Sequence, residues 1–198
     1  MLKYFIYGLI IILSCSYVYA STCGNLTTST TLDSNVTINA SNCFNITGQN
    51  VTLDCAGFTI KGNNTITTYG VFSTYFNTTI KNCNILDFTI GVFYDTSSAT
   101  NGLIFNNVIT GSEIAATGIS IMNSANTNNI SNNNVTTNQG TVVNIDSARN
   151  SYLSNNILRT TGGTMIYLVG AGSSNTTIFN NNAKGGSSIL FLNPSNNN

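Results

Sequence analysis

The sequence predicts an all-β fold wound as a parallel β-helix, a solenoid of about six to seven coils. Three observations predict it. First, an aliphatic residue, a spacer and a short Asn-rich polar step recur from Leu53, Ile80, Ile104, Ile130, Leu153 and Ile178. Successive copies start 27, 24, 26, 23 and 25 residues apart, a period that marks stacked supersecondary units. Second, each unit carries another apolar patch close behind a glycine (Gly70, Gly91, Gly118, Gly140, Gly163 or Gly186), such as Val92-Phe93-Tyr94 or Ile119-Ser120-Ile121. Third, no 3.6-residue periodicity persists over a helix length, whereas β-branched and aromatic residues sit between turn formers.

In chain order, residues 1–20 read as a secretory leader. Lys3 supplies a positive start, residues 4–13 an apolar run, and Val18-Tyr19-Ala20 the small residues before a cut. The run is too short for a membrane span. Cys15 is a weaker candidate for lipid attachment. Residues 21–49 read as an irregular cap or first coil, with Leu26, Leu32, Val36, Ile38, Phe44 and Ile46 suited to strands. Solenoid ends require such atypical units.

Residues 50–198 carry the repeats. Two or three short strands in each would stack on their equivalents about 4.8 Å away, so the six aliphatic residues should form one inner column. The Asn pair should sit at a bend, where Asn tolerates left-handed backbone angles, and its amides can bond from coil to coil. The repeated glycines should permit a second sharp bend. A left-handed helix of hexapeptides would show a six-residue beat, and none exists, so the expected hand is right. Residues 189–192 form a last strand candidate. No charged edge or helix follows to protect it, so the chain is expected to be a fragment of a longer one or to dock its end on a partner.

Four cysteines remain after leader cleavage: Cys23, Cys43, Cys55 and Cys83. Export permits disulfides. Cys23 with Cys43 is the preferred bridge. Cys55 and Cys83 lie one repeat apart and either pair or pack as buried thiols.

Residues 50–62, Asn50-Val51-Thr52-Leu53-Asp54-Cys55-Ala56-Gly57-Phe58-Thr59-Ile60-Lys61-Gly62, and residues 79–85, Thr79-Ile80-Lys81-Asn82-Cys83-Asn84-Ile85, carry a resemblance. They resemble the opening coils of exported right-handed parallel β-helix proteins of the pectin-lyase-like group, including NosD-type repeats. The resemblance spans residues 23–192. It implies the fold but no single activity, because that group includes lyases, hydrolases, adhesins and inert spikes. Members with carbohydrate chemistry usually have more coils than are counted here, which weighs toward a non-catalytic role.

Composition narrows the function. Only 6% of residues are charged, the formal net charge is zero, and His is absent. Nucleic-acid binding therefore lacks electrostatic support, and a Ser/His/Asp triad is impossible. The cysteine spacing is not a zinc pattern, and no acidic cluster suits calcium. Hence no cofactor and no metal are expected. The ten Asn-x-Ser/Thr sites are about what chance placement of so many Asn, Ser and Thr provides. A flat Thr ladder for ice is broken at Leu103, Asn129 and Tyr152.

The best catalytic-looking group is Asp95 and Asp146, at near-equivalent sites two coils apart, with Arg149 close by. Two carboxyl groups at such a separation suit a glycosidase, although two ordinary loop acids explain them as well. Asp54 and Lys81, in adjacent coils, should form an exposed ion pair. Tyr69, Tyr75, Tyr94, Tyr152 and Tyr167 either stack on sugars or fill the core. The expected function is an exported, non-catalytic surface scaffold or glycan-binding module, secreted or at the cell surface. Its expected partner is a polysaccharide or cell-surface glycan, with no nucleic acid and no membrane span in the mature chain. The competing expectation is a polysaccharide-degrading hydrolase or lyase.

Overall fold

The structure is a computed structural model describing residues 22–64, 67–170 and 172–192, without the side chains of 188–192. The segment expected to be a leader, with Cys15, and the end from residue 193 lie outside the described residues. The described residues wind as seven full turns of three strands each, plus one further strand. The first turn holds β1 (Gly24–Leu26), β2 (Thr30–Thr31) and β3 (Val36–Thr37). The second holds β4 (Phe44–Ile46), β5 (Thr52–Asp54) and β6 (Thr59–Lys61), and the third β7 (Tyr69–Ser73), β8 (Thr79–Lys81) and β9 (Asn84–Leu86). The fourth holds β10 (Ile90–Tyr94), β11 (Leu103–Phe105) and β12 (Val108–Ile114), and the fifth β13 (Thr117–Met122), β14 (Asn129–Ser131) and β15 (Asn134–Asn138). The sixth holds β16 (Val143–Asp146), β17 (Tyr152–Ser154) and β18 (Ile157–Thr160), and the seventh β19 (Thr164–Val169), β20 (Thr177–Phe179) and β21 (Asn182–Lys184). Strand β22 (Ser187–Leu192) begins another turn.

Every third strand pairs, so the turns build three parallel sheets: eight strands from β1 to β22, seven from β2 to β20, and seven from β3 to β21. The register makes the repeat physical. Leu53 pairs with Ile80, Ile80 with Ile104, Ile104 with Ile130, Ile130 with Leu153, and Leu153 with Ile178. The first five are fully buried, and Ile178 packs half-buried against the core. The first sheet adds Val71, Val92, Ile119, Val143 and Ile166, and the third adds Ile60, Ile85, Ile109, Val135 and Leu158. Burial of these three columns is the main driving force of the fold. The stretch 21–49 holds the first turn and β4, with Thr30 on Leu53 and Val36 on Ile60. Among the described residues no helix is long and apolar enough to cross a membrane.

The Asn pair at the corner between the second and third sheets divides its work. The first member, Asn82, Asn106, Asn132, Asn155 or Asn180, takes a left-handed backbone with φ between 52° and 58°. The second member turns inward. Asn133 is 2% exposed. Its Oδ1 accepts the backbone N–H and the Nδ2 of Asn107, while its own Nδ2 donates to Ile104 O and to Asn156 Oδ1. Asn156 repeats this arrangement on Asn181. One buried side chain thus satisfies backbone groups that the corner would leave unpaired.

Apart from Gly186, which takes a φ of 56°, the repeated glycines differ from expectation. Gly70, Gly91 and Gly118 do not adopt positive φ. They are small because the chain passes close to its neighbours. A Cβ on Gly70 would lie 2.5 Å from Ile85 Cγ2, and one on Gly118 would lie 2.3 Å from Val135 Cγ1. Both cysteine pairs are bonded, Cys23 to Cys43 and Cys55 to Cys83. The buried-thiol alternative for Cys55 and Cys83 is thereby excluded. Cys83 stands at the head of the inner Asn ladder, its backbone N–H donating to Asn107 Oδ1.

Candidate functional site

Loops joining the first sheet to the second are stacked like the strands. Those of the second, third and fourth turns are 47–51, 74–78 and 95–102. Together they form an open cleft of about 640 Å³, within the usual range for small-ligand sites. Tyr75 and Phe76 provide its apolar surface, and Gln49, Thr74, Thr96, Ser98 and Thr100 provide amide and hydroxyl groups. Tyr75 is 39% exposed and Phe76 41%. Among the described residues, none that lines it is charged.

Buried polar bonds fix the loop that carries the two rings. Ser73 Oγ and Thr78 Oγ1 lie 2.8 Å apart beneath it, and both residues are fully buried. The Tyr75 N–H donates to Ser73 Oγ, and Thr78 Oγ1 donates to Tyr75 O. From the next turn Tyr94 Oη donates to Thr78 O at 2.8 Å. The opposite wall hangs on Asn128, whose Nδ2 donates to Ala99 O while its Oδ1 accepts the Gly102 N–H. On the outer side, Asn77 Nδ2 donates to Asn50 Oδ1. The rings are therefore displayed by a braced loop.

The five tyrosines occupy different environments. Tyr75 lines the cleft. Tyr94 is 1% exposed and belongs to the core, where burial pushes its phenol far above its ordinary range. It fills space rather than offering a sugar platform. Tyr69 closes on Phe72 and Phe93 with ring centroids 5.5 and 5.1 Å away. Phe93 is only 9% exposed, so this cluster offers less free ring surface than Tyr75 and Phe76. Tyr152 lies on the second sheet, 51% exposed, and Tyr167 is half-buried on the first.

Asp95 and Asp146 lie at the ends of first-sheet strands. Met122 pairs with Asp146, and the pairing of Tyr94 with Ile121 places Asp95 against Met122. Asp95 and Asp146 thus share a column two rungs apart, about 10 Å along the axis. Asp95 Oδ1 accepts from the Thr96 N–H and Asn123 Nδ2, and Asp146 Oδ1 accepts from Ser147 Oγ. Arg149 lies in the following loop, its backbone N–H held by Asn126 Oδ1. Ion pairs among the described residues join Lys81 to Asp54 at 3.1 Å and Lys61 to Asp87 at 3.9 Å. Burial opposes ionisation of Asp54, but Asn82 Nδ2, the Ala56 N–H and Lys81 together hold its carboxyl below the ordinary value. Among the described residues no group of three His, Cys, Asp or Glu is placed to hold a metal ion.

Sequence reasoning named Tyr75 and missed Phe76, Gln49 and the hydroxyl wall. The loop 95–102 is the longest described link between the first and second sheets. Its length is masked because the interval from Ile80 to Ile104 is only 24 residues. The short link 87–89 from the third sheet back to the first compensates for it.

No curated protein and no solved structure matches the chain. The family model described as the right handed beta helix region matches residues 69–198, about two thirds of the sequence. Three parallel sheets, a coil of 23 to 27 residues and that match together place this chain in the right-handed β-helix family.

Proposed function

We propose that this chain is an exported, non-catalytic glycan-binding module on a rigid solenoid. The observation that carries the reading is the cleft in which Tyr75 and Phe76 stand exposed beside uncharged amide and hydroxyl groups. Aromatic faces pack against the C–H faces of sugar rings, and neutral donors and acceptors match sugar hydroxyls without the desolvation cost of a charge. Export is supported by the leader-like segment 1–20 and by two disulfides, which persist in oxidising compartments. Affinity electrophoresis of the secreted chain through gels containing individual polysaccharides tests the proposal. Retardation by at least one polymer is expected, and unretarded migration in all of them would leave only a structural role.

A second reading, a polysaccharide hydrolase, is favoured by the shared column of Asp95 and Asp146. Their spacing of about 10 Å along the axis approaches that of inverting glycosidase pairs. Reducing-sugar release that vanishes in Asp146→Asn would support it. Wild-type inactivity on neutral and acidic polymers would remove it.

A further inference from the structure

Resting on the glycan-binding reading, we infer that the cleft selects neutral glycans longer than one ring, laid along the solenoid axis, and rejects acidic ones. The direction follows from the register of the loops. Asn50 N–H donates to Phe76 O, and Asn77 N–H donates to Thr100 O. Gln49, Phe76 and Thr100 therefore form one column over three successive turns. Three rungs span about 10 Å, so the lining groups repeat along the axis. A chain of linked rings can meet Gln49, the Phe76 ring and Thr100 in succession.

The charge preference follows from what surrounds the cleft. Its lining contains no Lys or Arg. Among the described cations, Lys61, Lys81, Arg159 and Lys184 lie on the second and third sheets, and Arg149 follows the sixth turn's β16. The charged residue adjoining the lining is Asp95, one residue before Thr96. A uronate seated there would lose water without gaining a cation and would meet a like charge. A neutral ring meets only uncharged partners. The braced loop removes part of the ordering cost that binding would otherwise incur. No metal is required for this recognition, so a chelator should leave it unchanged.

Saturation-transfer NMR on the secreted chain tests the inference with neutral tetrasaccharides of β-1,4-glucan, β-1,3-glucan, mannan and chitin, and with tetragalacturonate as the acidic probe. At least one neutral tetrasaccharide should bind, with the same affinity in EDTA. Tyr75→Ala and Phe76→Ala should each weaken it roughly tenfold, while Tyr152→Ala, which removes an exposed ring elsewhere, should not. Tetragalacturonate should neither bind nor compete. Both cleft side chains are exposed, and unchanged thermal melting of the variants separates lost binding from lost folding. Neutral binding that survives both cleft substitutions would overturn the cleft assignment while leaving glycan binding intact. Tetragalacturonate binding that is lost in Tyr75→Ala would overturn the neutral selection alone. Failure of all five probes would overturn the inference, whereas gel retardation by an intact polymer would still sustain the broader reading.

Discussion

Tyr94 shows how one atom joins core to site. Its ring is buried, yet its hydroxyl donates to the carbonyl of Thr78 under the cleft loop. Gly102 leaves room for that ring: a Cβ there would lie 2.2 Å from Tyr94 Cε2. Tyr94→Phe keeps the ring and leaves the Thr78 carbonyl with the Leu103 N–H as its partner. It should cost about 1 kcal/mol in urea unfolding and weaken glycan binding by loosening Tyr75 and Phe76. Asp54 provides a pH signature at the same scale. Its carboxyl is lower in the folded chain than in the unfolded chain. Its contribution is therefore present above the ordinary carboxylate range and is lost as pH falls through the folded value. Melting temperatures of wild type and Asp54→Asn should differ at neutral pH and converge in acid.

At the scale of the element, the corner between the second and third sheets separates two kinds of Asn. Asn133 makes buried bonds to both neighbouring turns, whereas Asn106 sits outside in a left-handed conformation and donates to Asn82 Oδ1. Asn133→Ala should cost about 3 kcal/mol or more because several buried groups lose partners together. Asn106→Ala should cost about 1 kcal/mol, chiefly from backbone strain, and Asn106→Gly less still. Chemical denaturation of the three variants checks that order. The sequence marks both positions as Asn and does not say which faces inward; only the register of the stacked corners distinguishes them. The glycines within the first-sheet strands illustrate the same limit. Their recurrence is visible in the chain, but the clash with Ile85 or Val135 that requires them exists only once turns are packed.

For the whole molecule, each turn contacts mainly its neighbours, so stability is distributed along the axis. Both disulfides lie in the first three turns and close segments with sequence separations of 20 and 28. Each should stabilise by about 3 kcal/mol. Replacing Cys55 and Cys83 with Ser should speed hydrogen exchange in β5, β6, β8 and β9 far more than in β17 to β19. Equal acceleration along the axis would mean that the solenoid unfolds as one cooperative unit.

The fold was legible because stacking demands repetition. A column of inward side chains must recur once per turn, and Leu53, Ile80, Ile104, Ile130, Leu153 and Ile178 state that demand in the chain itself. The cleft obeys no such demand. Gln49, Phe76 and Thr100 are unlike one another and meet only because three stacked loops, one longer than the other two, hold these residues in register. Side chains far apart in sequence acquire a common ligand surface through the winding of the backbone. The linear pattern therefore determined the architecture, and the tertiary stacking alone decided where a ligand can be held.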